Sequence, residues 1–102
     1  MKPETKFRTN KVTPFLKTLK KTAFYPIQQQ TIRGDADFFL VINGRFIWLE
    51  LKAKDGKEDP LQKFKRTQAM EAGAIAFVAC PDNWDKIKKY LKTLSEGAVP
   101  YV

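Results

Sequence analysis

Apolar residues recur along this chain in two periods, and the change from one to the other marks out its elements. Val12, Phe15, Leu16 and Leu19 fall at i, i+3, i+4 and i+7, which predicts a helix in the N-terminal third. Thr13 followed by Pro14 is a helix-start signal; if the helix begins earlier, near Pro3, then Pro14 must kink it. Phe7 falls off the stripe of a single straight helix, so a break is expected between Asn10 and Pro14. The stretch "FYPIQQQTIRG" then reads as an extended connector or edge strand bounded by Pro26 and Gly34. Residues 37–42 and 45–53 alternate as strands around Asn43-Gly44, a hairpin turn signal. Asp59 as cap, Pro60 at the first helical position, Gln62 at capping-box spacing and Gly73 as terminator predict the next helix. Its apolar stripe is Leu61, Phe64, Ala69 and Ala72, with Lys65 lying within it. Ala74 to Cys80 is an unbroken apolar run of the kind found in a central strand covered on both faces. Asp82 caps a last helix with Ile87, Leu91 and Leu94 inward and Lys86, Lys88, Lys89 and Lys92 outward. Strand, helix and strand in that order make a parallel βαβ unit. The reading is a single α/β domain over residues 1–102: a small mixed β-sheet, hairpin plus βαβ, flanked by helices.

The hairpin has a consequence for chemistry. A two-residue turn pairs Ile42 with Arg45, so paired positions sum to 87 and Asp37 stands opposite Glu50 in a non-hydrogen-bonded pair, with Cβ atoms about 4.5–5.5 Å apart. Alternation puts Lys52 on the same face, which Phe39, Val41, Phe46 and Trp48 continue as an apolar floor; Ile47, Leu49, Leu51 and Ala53 point the other way. Two carboxylates at that spacing repel by roughly 3 kcal/mol at an effective dielectric near 20. Either Lys52 neutralises them as a salt bridge or a divalent cation sits between the oxygens. Mg²⁺ suits oxygen ligands and retains water, which can attack a phosphodiester. A single bulge would move Asp37 off the pair and leave Asp35 as the competing acid.

Charge points to a polyanionic partner. The 102 residues carry a formal +8, and the first 22 hold Lys2, Lys6, Arg8, Lys11, Lys17, Lys20 and Lys21 against Glu4 alone. Histidine is absent, which excludes a His general base, a Ser-His or Cys-His nucleophile and a Cys/His zinc site. The one cysteine, Cys80, is expected in the core. With no internal disulfide, no secretory segment in "MKPETKFRTNK" and no run long enough to span a membrane, an intracellular, cytoplasmic setting without membrane association is expected.

At Asp37, Glu50 and Lys52 the chain resembles the PD-(D/E)XK nucleases, most of all their virus-type replication-repair branch, the VRR-Nuc domain, which includes small phage proteins described as Holliday-junction resolvase-like. The matching parts are Glu4 in "PETKF", "QQQTIRGDADF", "INGRFIWLELK" and "PLQKFK", spread over nearly the whole chain. The resemblance implies a restriction-endonuclease-like core and a metal-dependent endonuclease. In such a site Asp37, Glu50 and the backbone carbonyl of Leu51 hold Mg²⁺ or Mn²⁺. Lys52 polarises the attacking water, Glu4 reaches the metal or its water shell, and Gln62 supports the site. The proline that usually precedes the motif aspartate is Ala36 here. Arg33, Gln30, Lys63, Lys65 and Arg66 are candidate DNA contacts. The implied activity is hydrolysis of branched DNA, four-way junctions foremost, by a homodimer. A nicking, flap or loosely selective DNA nuclease and a non-catalytic basic DNA-binding protein are the alternatives.

Overall fold

The computed structural model describes residues 2–27, 34 and 36–97. Its N-terminal helix is built in three contiguous pieces: α1 (Pro3–Phe7), a π-helical turn (Arg8–Val12) and α2 (Thr13–Leu16). The expected break around Asn10 to Pro14 is therefore a widened turn in a continuous helix. The Thr13 backbone N–H reaches the Arg8 carbonyl, an i to i−5 bond. The extra residue has a packing reason. Phe7, Val12 and Leu16 are all buried, at spacings of five and four, and the wide turn turns Phe7 back to the side that Val12 and Leu16 occupy. Phe7 and Phe15 both meet the Trp84 ring edge-to-face, at 5.8 and 5.6 Å, which locks this helix to the start of the last one.

Among the described residues the fold is a mixed four-stranded sheet in the order β1-β2-β3-β4 with helices packed on it. Strand β1 (Thr22–Pro26) is an antiparallel edge strand that overlaps the expected connector or edge strand only at Phe24–Pro26; residues 28–33 of that stretch lie outside the described residues. Strands β2 (Phe38–Ile42) and β3 (Arg45–Leu51) form the hairpin, and their pairs from Ile42–Arg45 to Phe38–Leu49 all sum to 87. Asn43 adopts φ 50° and Gly44 φ 85°, the left-handed pair that a tight turn of this type needs. The Asn43 side chain also donates to the carbonyls of Leu94 and Gly97, at 3.1 and 2.6 Å, fastening the hairpin tip to the end of the last helix.

Helix α3 (Pro60–Glu71) begins with the expected capping box of Asp59 and Gln62. It leads to β4 (Ile75–Ala79), which pairs parallel with β3 and completes the βαβ unit. Two expectations are corrected here. The Ala74–Cys80 run is an edge strand of the sheet, and only Ala79 in it is buried; the doubly covered strand is β3, buried from Ile47 through Leu51. Helix α4 (Trp84–Glu96) takes Asn83, not Asp82, as its first cap, and the Asn83 side chain turns back to the Cys80 N–H and the Val78 carbonyl. Ile87 and Leu91 of α4 are buried against Phe38, Leu40, Ile42, Leu49 and Leu51, forming the core with Phe7, Val12 and Leu16.

Phe7 is the residue that the π-turn exists to bury. Phe7→Ala should cost about 3 kcal/mol in urea unfolding with an unchanged m-value, whereas Thr9→Ala, exposed in the same helix, should stay within about 0.5 kcal/mol. Equal effects from the two would contradict this account of the turn.

Candidate functional site

The site forms where β3 ends beside β4, at the carboxyl ends of the two parallel strands. The ladder between β2 and β3 stops at Phe38–Leu49, and Asp37 departs from the expected cross-strand pairing with Glu50. Its backbone N–H donates to the Leu49 carbonyl at 3.0 Å, and its Oδ2 accepts the Leu51 N–H at 2.7 Å. Asp37 thus binds the strand's backbone one residue beyond Glu50. On the other side, the Lys52 N–H donates to the Ala79 carbonyl at 2.8 Å, so the backbone on both sides of the Leu51–Lys52 link is fixed.

Glu50 has no exposed surface. Its Oε1 accepts the Trp48 indole N–H at 2.8 Å, a contact available because positions two apart on a strand share a face. Its Oε2 is buried without a hydrogen-bond donor. The carboxyl that abuts Glu50 is that of Glu58, in the turn before α3, and not that of Asp37 as the register alone predicts. Arg66 grips Glu58 with Nε on Oε2 and Nη2 on Oε1, at 2.8 and 2.9 Å. Burial foremost, then the contact with Glu58, pushes the Glu50 carboxyl up to about 7 against the opposing effects of Trp48 and Lys52. Glu58 is held below its ordinary value, chiefly by the Arg66 bonds. Of the two facing carboxyls, Glu50 is thus the one whose ionisation is disfavoured and Glu58 the one whose ionisation is favoured.

Lys52 Nζ donates to Gln62 Oε1 at 2.6 Å. The same oxygen takes the Asp59 N–H at 3.3 Å, so the capping box of α3 also anchors the lysine. The stripe expected to bury α3 does not do so: Leu61 and Phe64 are 39% and 59% exposed. The half-buried positions are Gln62, Lys65, Arg66 and Ala69, a polar face at helical spacing. The cause is what the helix covers. Glu50 and Glu58 require cations and amides opposite them, and the helix turns accordingly. Gly34, at φ +87°, lies close against this helix; a Cβ there would lie 2.7 Å from Leu61 Cγ.

Glu4 in α1 completes the acid set. Burial first, and the Asp37 charge second, raise its carboxyl above the usual range; Lys52 and Arg8 oppose this. Asp37 is also raised, by burial, against the Leu51 N–H, Lys52 and Arg8. Glu4, Asp37, Lys52 and Arg8 therefore share one electrostatic neighbourhood, while Glu50 and Glu58 form a second that also feels Lys52. Of the candidate DNA contacts, Lys63 is exposed, Lys65 is half-buried and Arg66 is closed on Glu58. Gln30, Arg33 and the competing acid Asp35 lie outside the described residues, and Cys80 is half-buried. Trp48, Glu58 and Arg8 are site residues that the sequence reading did not select. Trp48 was legible from strand alternation and Arg8 from its spacing of four from Glu4. Glu58 lies in a turn, where no periodicity marks a direction.

Asp37, Glu50, Glu4 and the Leu51 carbonyl offer oxygens alone, the ligand type that hard cations take, and Glu50 Oε2 is buried with no hydrogen-bond partner. Among the described residues no three acidic, cysteine or histidine side chains are grouped closely enough to hold a metal ion by themselves. No helix of the described residues is long and apolar enough to cross a membrane. Compared with family models, curated proteins and solved structures, the chain matches none.

The pH dependence follows from Glu50. A carboxyl raised in the folded state from 4.5 to about 7 keeps its proton where the unfolded chain has lost it, so stability falls as pH climbs through that window. Glu50→Gln, a permanent mimic of the protonated form, should stabilise the protein in EDTA by up to about 3 kcal/mol at pH 8 and by under about 1 kcal/mol at pH 5. Thermal melts at the two pH values measure this, and a difference that does not change with pH would contradict the assignment.

Proposed function

We propose that this protein is a divalent-metal-dependent endodeoxyribonuclease of the PD-(D/E)XK type, with a VRR-Nuc-like domain acting on branched DNA, four-way junctions foremost. The observation that carries the reading is the bond from the Leu51 N–H to Asp37, which ties the aspartate to the backbone link following Glu50, with Lys52 held beside it by Gln62. That bond brings Asp37 to the backbone between Glu50 and Lys52 of the Glu-x-Lys motif, which supports the reading. The +8 charge supports a polyanionic substrate.

In this reading Asp37, Glu50 and the Leu51 carbonyl hold Mg²⁺ or Mn²⁺, with Glu4 acting through the water shell. The bound cation supplies a water of lowered pKa and polarises a phosphoryl oxygen. The chain's own residues do the rest. Asp37, fixed through Oδ2, keeps its direction without a cross-strand partner. Trp48 fixes one oxygen of Glu50. Lys52, restrained by Gln62, directs an ammonium at the attacking water and offsets charge as it develops on phosphate. In hydrolysis the water oxygen bonds to phosphorus while the bond to one sugar oxygen breaks; the water yields a proton to solvent and the sugar oxygen gains one. A homodimer follows from the family resemblance, since a symmetric junction needs two matched cuts. A cytoplasmic location belongs to the same proposal.

The experiment is cleavage of labelled junction, flap and plain duplex, in Mg²⁺ and in EDTA. Junction should be cut with metal only, and Asp37→Ala or Lys52→Ala should lower the rate at least about 100-fold. Gln62→Ala, which frees Lys52 and weakens the α3 cap, should fall between these variants and the parent. Intact substrates in Mg²⁺ would remove the nuclease reading in favour of a basic DNA-binding protein whose acid cluster is structural. Equal cutting of all three DNAs would leave a loosely selective nuclease.

A further inference from the structure

Four cations stand around the acids: Lys2, Arg8, Lys52 and Arg66. Lys52 is bound to Gln62, and Arg66 is bound through two nitrogens to Glu58. Lys2 is exposed, whereas Arg8 is half-buried, and among the described residues no side-chain hydrogen bond or ion pair engages Arg8. Its position is set by the backbone. Arg8 is helical, with φ −58° and ψ −51°, and its N–H bonds to the Glu4 carbonyl, so the two side chains rise one turn apart from the same face. Both are half-buried, whereas Lys6 and Thr9 on either side of Arg8 are exposed. Phe7, packed on Trp84, and Val12 beyond the wide turn anchor the helix to the core on either side of Arg8. The guanidinium charge is felt by Glu4 and by Asp37, which lie on different elements.

We propose that Arg8 is the phosphate-binding residue of this site, its guanidinium fork taking the non-bridging oxygens of the phosphodiester under attack. The inference rests on the nuclease reading and adds a residue to it. The chemistry favours arginine: it is always charged, its planar fork matches two oxygens of one phosphate, and it tolerates partial burial better than an ammonium. The plainer role is a helix-surface pair with Glu4, worth a few tenths of a kcal/mol and acting on stability alone. Charge on the non-bridging oxygens grows as the water attacks, so a cation held there without a competing protein partner acts mainly on the rate of the chemical step.

The test is steady-state cleavage of a labelled four-way junction in Mg²⁺ by the parent, Arg8→Ala and Arg8→Lys, with a thermal melt of each. Arg8→Ala should lower kcat about 100- to 1000-fold, leave KM within about threefold and leave Tm within a few degrees; Arg8→Lys should recover at least about tenfold of the lost rate. Should Arg8→Ala unfold, Arg8→Gln, which keeps the stem, carries the same expectation. An active parent with an Arg8→Ala kcat within threefold overturns the assignment while leaving the nuclease reading intact. So does a loss that Arg8→Lys does not repair. A parent inert in both Mg²⁺ and Mn²⁺ overturns the nuclease reading and the assignment together.

Discussion

A carboxyl group with no exposed surface, placed in the middle of a sheet, is the constraint around which this fold is organised. Glu50 lies on β3, between β2 and β4, and a charge there without partners would cost several kcal/mol. The surrounding residues offset that cost at one oxygen and add to it at the other. Trp48 donates to Oε1, Oε2 has no hydrogen-bond partner, and Glu58, itself gripped by Arg66, meets the carboxyl from the turn before α3 and disfavours its ionisation further. The demand extends to a whole helix. With Glu50 on the sheet and Glu58 in the preceding turn both close to Arg66, the helix presents Gln62, Lys65 and Arg66 inward and leaves Leu61 and Phe64 exposed, against the usual direction of an amphipathic helix. Stability is given up for that arrangement, as a site that must hold charge out of water commonly requires.

The N-terminal helix answers a different constraint. Its apolar residues must reach the core while Glu4 and Arg8 reach the acids on the sheet. A uniform α-helix through Phe7, Val12 and Leu16 cannot do both, and the π-turn at Arg8–Val12 resolves the conflict by one residue. The wide turn, the Trp84 contacts and the position of Arg8 are thus parts of a single solution.

Much of this was legible beforehand. The Asn43-Gly44 turn and strict alternation determined the β2–β3 register, and the Asp59-Pro60-Gln62 signature located the start of α3, because both depend on backbone preferences that are local in sequence. The departures arise where long-range electrostatics overrides local pattern. Apolar period predicted that Leu61 and Phe64 face inward, yet Arg66 is drawn inward to Glu58 and Glu50, and the helix turns with it. Register predicted Asp37 against Glu50, but the ladder ends one pair early, and Asp37 gains more by binding the Leu51 N–H than by facing a like charge. The Ala74–Cys80 run looked central because apolar content reports hydrophobicity and not position in the sheet. Glu58 was invisible because a turn residue carries no periodic signature.

The proposed role of Glu50 as a metal ligand is tested most directly by calorimetric titration of Mn²⁺ into the metal-free protein at pH 6.5 in two buffers of different ionisation enthalpy. Binding should come with proton release, because a carboxyl raised to about 7 must ionise to become a ligand, and Glu50→Gln should lose the release along with the affinity. Absence of binding, or binding with the same heat in both buffers, would contradict that role.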